Sequence, residues 1–218
     1  MGRKRTISFI FLLPPIQYMT ISLVVLASGR GSNFEAILRA IAAKKCDALV
    51  LALISDKAGA PALTIAKSHG IPSHVIEKKD FPDALSFDEK LLSLIDSHSP
   101  DLVVLAGYMR LLRSPAIFAS YKNRIINIHP SLLPKYPGPH AQADAYVAGE
   151  KVSGLTIHVV DETLDGGPVL YREMVDIAQC KSAEEVSAKI LAREHIAFPR
   201  VIDGISGGRY TQVPIPRR

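Results

Sequence analysis

Hydrophobic residues along this chain follow two alternating patterns, continuous apolar runs and amphipathic stretches. Residues 21–27 are apolar at almost every position, which is typical of a strand buried on both faces. Residues 33–45 place apolar side chains at the i, i+3, i+4 and i+7 spacing of an amphipathic helix, with Asn33 as the expected N-cap. The same alternation predicts further strands over residues 48–54, 73–76, 102–106 and 125–128, and further helices over residues 61–69 and 87–98. It therefore predicts an α/β fold, an open and mostly parallel twisted sheet with helices on both faces.

The C-terminal third of the chain breaks that alternation. Residues 153–160 and 169–176 both have the pattern of strands, and only a turn-rich segment at residues 161–168 separates them. We therefore expect an antiparallel C-terminal strand pair. A long helical stretch, begun by a capping box, follows at residues 182–202. Because the sequence shows no internal repeat and no linker, we expect residues 19–218 to form a single domain.

The first eighteen residues stand apart from this pattern. Residues 1–18 combine a basic start with a short apolar stretch, but no small-residue cleavage site follows them, which argues against a secretory signal. The apolar run at residues 7–16 is interrupted by Ser8 and by a proline pair, and it is shorter than the ~20 residues of a membrane-spanning helix. We expect a leader that is disordered or not native, with Met19 as the natural start, no transmembrane segment and a cytoplasmic location.

Composition and charge narrow the classes of protein and ligand. With 48% hydrophobic and 22% charged residues among 218, the chain has the composition of a globular protein rather than of a collagen, a disordered chain or a coiled coil. Its net charge of +5 equals the charge of five terminal residues, Arg3, Lys4, Arg5, Arg217 and Arg218. The remaining body is neutral and has no field that would steer a nucleic acid, so we expect small-molecule ligands.

Cysteines and histidines give no sign of a metal site. Cys46 and Cys180 are the only cysteines and are far apart in the sequence, so we expect two reduced thiols and neither a zinc site nor a redox pair. Five histidines lack the spacing with carboxylates or cysteines that metal ligation requires, and we expect them to be solvated or core residues: His69, His74, His98, His158 and His195.

A glycine-containing loop, residues 28–33, connects the first predicted strand to the first predicted helix. Free backbone N–H groups and the helix dipole at such a place favour a phosphate, and glycine lets the backbone approach it. A tight βα turn that binds nothing is the alternative. A dinucleotide site would need a third glycine where this chain has Phe34, although Asp56 at the end of the second strand keeps that possibility open.

The segment Asn127-Ile128-His129-Pro130 lies at the carboxyl end of a predicted buried strand, where ligands bind in open α/β sheets. Residue alternation places Asn127 and His129 on the same side, and Pro130 disfavours a helical conformation at His129. An amide donor beside an imidazole suits the stabilisation of an oxyanion formed at a carbonyl carbon. A capped strand end with a structurally satisfied histidine is the alternative.

A third candidate is Asp165, which lies 36 positions after His129. Its segment, Asp165-Gly166-Gly167-Pro168, is by itself typical of an ordinary turn. A carboxylate brought near His129 would favour the imidazolium form, ready to donate to an oxyanion, and could relay a proton from an attacking amine through water. The sequence alone does not establish that contact.

Four segments together resemble a known enzyme family. They are VVLASGRGSN at residues 24–33, LAGYMRLL at 105–112, NIHPSLLP at 127–134 and LDGGP at 164–168. In sequence, order and spacing they resemble the phosphoribosylglycinamide formyltransferases, folate-dependent one-carbon transferases, over residues 21 to about 210. The resemblance implies transfer of a formyl group from 10-formyltetrahydrofolate, as co-substrate, to the amine of glycinamide ribonucleotide in de novo purine biosynthesis, with a monomer or a homodimer as the active form.

The resemblance also implies roles for individual residues. Three are implied to be catalytic: Asn127, His129 and Asp165. Those implied to bind the substrate phosphate are Gly31, Ser32 and Asn33, and the one implied to contact the ribonucleotide is Glu194. Those implied to bind folate are Met109, Arg110, Leu111, Leu112, Asn127, Val160, Asp161 and Leu164. No metal is implied, and the N-terminal half of the domain is expected to bind phosphate while the C-terminal half binds folate.

Two positions depart from the family pattern. Many members have an arginine just before the third helix that helps to hold the folate, whereas the matching position here is Ala84, so we expect Lys78 or Lys79 to substitute. Gln142 stands where family members often have a histidine, and we therefore assign no catalytic role to His140.

Other functions share some of these residues. A formyltetrahydrofolate hydrolase or another folate-dependent formyltransferase would use the same Asn127, His129 and Asp165 set, but the phosphate loop favours a phosphorylated acceptor. A transferase acting on initiator tRNA would need a basic surface, which the neutral body of this chain lacks. A nucleotide-binding module without catalysis would need only residues 29–33 and would leave the other three residues without a role.

Overall fold

The computed structural model describes residues 20–215, so the expectation of a leader at residues 1–18 lies outside the described part of the chain. In chain order the elements are β1 (Ile21–Leu26), α1 (Ser32–Ala42), β2 (Ala48–Ser55), α2 (Pro61–Ser68), β3 (Ser73–Val75), α3 (Ala84–His98), β4 (Leu102–Leu105), α4 (Pro115–Ser120), β5 (Ile125–His129), α5 (Ala141–Val147), β6 (Val152–Val159), β7 (Val169–Asp176) and α6 (Ala183–Ser206). A short 3₁₀ turn, Lys78–Asp80, precedes α3.

These strands form one sheet in the order β3-β2-β1-β4-β5-β6-β7. The first five strands pair in parallel, while β6 pairs antiparallel with β5 and β7 pairs antiparallel with β6. The predicted fold class, a mostly parallel sheet with an antiparallel C-terminal pair, is confirmed.

Strand β1 shows why the parallel part of the sheet needs helices on both faces. Leu23 and Val25 pack into one cluster with side chains of α1 and α6, whereas Val24 and Leu26 pack into a second cluster with side chains of α3. All four side chains are fully buried. The continuous apolar run therefore reflects burial on both sides of one strand.

Several helices begin at residues that the sequence pattern did not predict. Helix α1 begins at Ser32 after Gly31, rather than after an N-cap at Asn33. Helix α3 begins at Ala84, three residues earlier than predicted, because the Asp83 carboxylate accepts a hydrogen bond from the Ser86 N–H at 2.8 Å and caps the first turn. Helices α4 and α5 have six and seven residues, too few for a periodic hydrophobic pattern to appear.

The order of the strands places a crevice between β1 and β4. These two strands are neighbours in the sheet. The chain continues from β1 to β2 on one side and from β4 to β5 on the other, so the connections that leave β1 and β4 diverge at this switch point. The Ser28 N–H donates to the Gly107 carbonyl at 3.1 Å, and the Met109 N–H donates to Ser28 Oγ at 2.9 Å. These bonds fix the two loops that border the crevice.

Candidate active site

The loop after β1 is shaped so that its backbone faces the crevice. Gly31 has a φ of 77°, and a Cβ built there would lie 2.7 Å from the Ala62 Cβ. Both the left-handed backbone and the contact with α2 therefore require glycine. Ser32 is the first residue of α1, so the N–H groups of the first helical turn have no intrahelical partner and are available to an anion.

Behind this loop, Asn33 and Glu194 form a buried contact between α1 and α6. The Asn33 Nδ2 donates to Glu194 Oε2 at 2.7 Å, and Glu194 is 5% exposed. Burial raises the pKa of the Glu194 carboxyl to about 7, while the hydrogen bond from Asn33 acts in the opposite direction. Both residues line a cavity of about 640 Å³ that also contains Gly31 and Ser32.

Asn127 lies opposite a histidine on the neighbouring strand. In the antiparallel pairing of β5 with β6, Asn127 is the partner of His158. The His158 Nδ1 lies 3.0 Å from the Val159 carbonyl, which can only accept, so Nδ1 carries a proton. Burial lowers the pKa of His158, which favours the neutral ring. Its Nε2 then accepts a hydrogen bond from the Asn127 Nδ2 at 3.2 Å.

His129, at the end of β5, is held by two groups on opposite sides of its ring. Its Nε2 lies 2.8 Å from the Tyr136 carbonyl, so this nitrogen donates. Its Nδ1 lies 3.5 Å from Asp165 Oδ2, and the side chain is almost completely buried. The carbonyl fixes the tautomer of the neutral ring, and it leaves Nδ1 as the atom that can gain or lose a proton.

Asp165 reaches this place because the turn between β6 and β7 folds back over the sheet. Its backbone is left-handed, with φ at 51°, and its Oδ2 accepts from the Gly138 N–H at 2.8 Å. Its Oδ1 lies 3.7 Å from His158 Nε2. Two residues later, a Cβ built on Gly167 would lie 1.9 Å from the Val159 carbonyl oxygen, so the turn can approach β6 only with glycine there.

A second cavity of about 520 Å³ extends from these residues. Seven of the eight residues predicted to bind folate line it: Arg110, Leu111, Leu112, Asn127, Val160, Asp161 and Leu164. Met109 lines the first cavity instead. The two cavities share lining residues, among them Asn127 and Asp165, so they adjoin at these residues.

Two sequence-based expectations about individual residues need revision. His158, expected to be a solvated or ordinary core residue, is buried but lies within the site, between Asn127 and Asp165. Its place across from Asn127 follows from the register of β5 and β6, which periodicity does not specify. Among the described residues that line the two cavities, neither Lys78 nor Lys79 is present, and Lys79 pairs with Glu77 at 2.6 Å.

This arrangement brings an amide donor, an imidazole and a carboxylate to one point in the crevice. Such a set can stabilise an oxyanion at a carbonyl carbon and can move a proton. Within residues 20–215, no group of three or more histidine, cysteine, aspartate or glutamate side chains is arranged to hold a metal ion. In that same part of the chain, no helix combines the length and the apolar character needed to cross a membrane.

Comparison with known proteins relates this site to a family. Residues 21–202 match the model of the formyl transferase family. The phosphoribosylglycinamide formyltransferase of Escherichia coli is 41% identical over 188 residues, which are 86% of this chain and 88% of that protein. The chain belongs to the phosphoribosylglycinamide formyltransferase family. The Bacillus subtilis phosphoribosylglycinamide formyltransferase is 38% identical over 183 residues, 84% of this chain and 93% of its own length.

Solved structures of phosphoribosylglycinamide formyltransferases share the fold as well. Glycinamide ribonucleotide transformylase 1 from Symbiobacterium toebii superposes with a TM-score of 0.84 at 38% identity, over 87% of this chain and 89% of that chain. The phosphoribosylglycinamide formyltransferase from Bacillus halodurans gives a TM-score of 0.83 at 38% identity, over 88% and 98% of the two chains. The formyl transferase match runs from β1 into α6 and so includes every site residue from Gly31 to Glu194.

Proposed function

We propose that this protein transfers the formyl group of 10-formyltetrahydrofolate to the amine of N1-(5-phosphoribosyl)glycinamide, a step of de novo purine biosynthesis that leads to IMP. The observation that carries the proposal is the convergence of Asn127, His129 and Asp165 in a crevice that also contains a phosphate-type loop. Family membership supports the same reaction.

The two cavities suit the two substrates. The backbone N–H groups of Gly31, Ser32 and Asn33 bind the phosphate of the ribonucleotide, and Glu194 contacts the same substrate. The folate lies in the second cavity, between the loop at residues 109–112 and the turn after β6. A mostly apolar cleft with a few polar groups suits a flat heteroaromatic ring. The phosphate side is therefore mainly N-terminal and the folate side mainly C-terminal, although Glu194 crosses that division.

The chemical step is attack of the glycinamide amine on the formyl carbon. A new C–N bond forms, and the carbonyl oxygen becomes an oxyanion. One Asn127 Nδ2 hydrogen is engaged by His158, so the other is free to donate to this oxyanion. His129, protonated at Nδ1, donates the second hydrogen bond.

Collapse of the tetrahedral intermediate requires proton transfer. Attack turns the amine into an ammonium group, and Asp165 accepts a proton from it through water and returns a proton to the departing folate nitrogen. The C–N bond to that nitrogen breaks as the carbonyl reforms. The Gly138 N–H and the positive charge of protonated His129 hold the Asp165 carboxyl group in place for this transfer.

The binding partners, the location, the oligomeric state and the domain organisation are part of the same proposal. The partners are two small molecules, with 10-formyltetrahydrofolate as co-substrate and no metal. We propose a cytoplasmic enzyme that acts as a monomer or a homodimer, built on a single domain at residues 19–218.

A spectrophotometric assay of folate product, with glycinamide ribonucleotide present or omitted, tests the proposal. Turnover that depends on the amine supports the transferase. Equal turnover without the amine would show a formyltetrahydrofolate hydrolase instead, and tight NAD binding without turnover would show a nucleotide-binding module.

A further inference from the structure

The turn after β5 brings a backbone carbonyl back onto the ring of His129. The carbonyl oxygen of Tyr136 lies 2.8 Å from His129 Nε2, and the backbone of Tyr136 is left-handed, with φ at 54°. A residue with a Cβ adopts this conformation only when its surroundings hold it there. The position of the His129 ring therefore depends on the contacts that hold Tyr136.

Buried hydrogen bonds hold the base of this turn. Thr156, the partner of His129 in the pairing of β5 with β6, donates its hydroxyl to the Ser131 carbonyl at 2.7 Å. Ser131 is fully buried, and its hydroxyl lies 2.6 Å from the Lys135 carbonyl and 3.2 Å from the Tyr136 carbonyl. Because a hydroxyl has one hydrogen, the shorter contact is the stronger bond. These bonds place the backbone of the turn, and they do not involve the Tyr136 side chain.

The side chain of Tyr136 is held by Glu150, which follows α5. Glu150 Oε1 accepts from the Tyr136 hydroxyl at 2.9 Å and from Lys135 Nζ at 2.7 Å. The Glu150 N–H donates to the Ala145 carbonyl at 3.1 Å, so its backbone is fixed to the end of the helix. The bond from Lys135, and after it the bond from Tyr136, lower the pKa of the Glu150 carboxyl. Glu150 is therefore an anionic acceptor near neutral pH, and its hydrogen bonds are charge-assisted.

This network lies outside the walls of the site. Neither Tyr136 nor Glu150 is among the described residues that line the two cavities. A change in either side chain therefore leaves both cavities intact, and its effect reaches the site through the Tyr136 carbonyl. That carbonyl keeps Nε2 of the neutral His129 ring protonated, and it forms a stronger bond once the ring carries a positive charge.

We propose that Glu150 and Tyr136 are positioning residues for His129. Glu150 holds Tyr136 in its left-handed conformation, and the Tyr136 carbonyl then fixes the ring so that Nδ1 faces the oxyanion. The inference rests on the proposed function, which assigns the donation of that hydrogen bond to His129. It extends the catalytic apparatus to a carboxylate that contacts neither substrate.

Steady-state kinetics of Tyr136→Phe, Glu150→Ala and the double variant test the inference. Each single substitution removes one partly exposed hydrogen bond to a carboxylate, so we expect kcat to fall about three- to tenfold while the KM of either substrate changes less than about twofold. Because both substitutions break the same link, the double variant should be no slower than the slower single variant. Glu150→Gln keeps an oxygen that accepts from the Tyr136 hydroxyl and should restore most of the rate.

Lys135→Met is the matched control. It removes the other donor to the same carboxylate oxygen and leaves the Tyr136 hydroxyl in place, so turnover should stay near that of the wild type. A control as slow as Glu150→Ala would overturn the inference, because charge at Glu150 and not its link to Tyr136 would then matter. Losses that multiply in the double variant, or a wild-type kcat in both single variants, would overturn it as well.

Nitrogen NMR of the isotopically labelled His129 ring, with its signal identified by its loss in His129→Ala, measures the position of the proton without turnover. In the wild type we expect the neutral ring to carry its proton on Nε2. In Tyr136→Phe and in Glu150→Ala, part of the neutral rings should carry it on Nδ1, and an unchanged tautomer in both would overturn the inference. A changed tautomer in a protein that transfers no formyl group would contradict only the proposed function.

Discussion

The buried carboxyl of Glu194 couples the stability of the fold to pH, and the substitution Glu194→Gln exposes that coupling. The pKa of this group is raised by burial from 4.5 to about 7. Below about pH 4.5 the carboxyl is protonated in both the folded and the unfolded chain, and the burial of charge has no cost. As pH rises the unfolded chain ionises first, so stability is lost until the folded carboxyl also ionises near pH 7.

The magnitude follows from the size of that shift. Each pKa unit corresponds to about 1.4 kcal/mol, so the wild-type protein should lose roughly 3 kcal/mol through this one group across the range. Glutamine has nearly the same shape and keeps an oxygen that accepts from Asn33 Nδ2, but it does not ionise. Glu194→Gln should therefore be more stable than wild type at pH 8 and about equally stable near pH 4.5.

Urea unfolding of wild type and variant at several pH values between 4.5 and 8 measures this difference directly. The exposed Glu89→Gln variant on α3 is the matched control and should follow the wild-type curve. If the free energies of unfolding of wild type and Glu194→Gln kept a constant difference over the whole range, the burial of an ionisable group at this position would be refuted.

Three further substitutions test the site. His129→Ala should lower turnover at least about a hundredfold, because it removes the side chain that donates a hydrogen bond to the oxyanion. A steady-state rate near that of the wild type in this variant would contradict that role. His158→Phe removes the hydrogen-bond acceptor that orients Asn127, so it should lower kcat about tenfold with little change in the KM of either substrate. A change confined to KM would contradict a positioning role for His158. Gly31→Ala places a Cβ 2.7 Å from the Ala62 Cβ, so it should lower the free energy of unfolding by ~1–3 kcal/mol and raise the KM for the ribonucleotide. Wild-type values for both the thermal stability and this KM would contradict the loop geometry.

The parallel half of the fold could be predicted from sequence because its strands are buried on both faces. A strand such as β1 needs apolar side chains on each side, which leaves a continuous run that periodicity detects. The antiparallel β6–β7 pair was predicted from a short turn-rich connection. Helices α4 and α5 could not be predicted, since six or seven residues make at most two turns and carry too few apolar positions to define a face.

The local sequence pattern could predict the geometry of the candidate site only where its residues are close in sequence, and the roles of Asp165 and Glu194 were expected from the family resemblance. Asn127 and His129 alternate along one strand, so their common direction follows from strand geometry. The 3.5 Å approach of Asp165 depends instead on the left-handed backbone of its turn and on Gly167, neither of which periodicity specifies. His158 was not predicted to belong to the site because its place across from Asn127 is a matter of strand register.

Whether Asp165 is the proton-transferring group of a formyl transfer reaction is tested most directly by the single-turnover rate of Asp165→Asn. The asparagine keeps an oxygen that can accept from the Gly138 N–H, so the turn should retain its shape. With both substrates saturating, we expect the rate of formyl transfer to fall about a hundred- to a thousandfold, while both substrates bind within a few fold of wild type. A single-turnover rate equal to that of the wild-type protein would contradict the role assigned to this carboxylate.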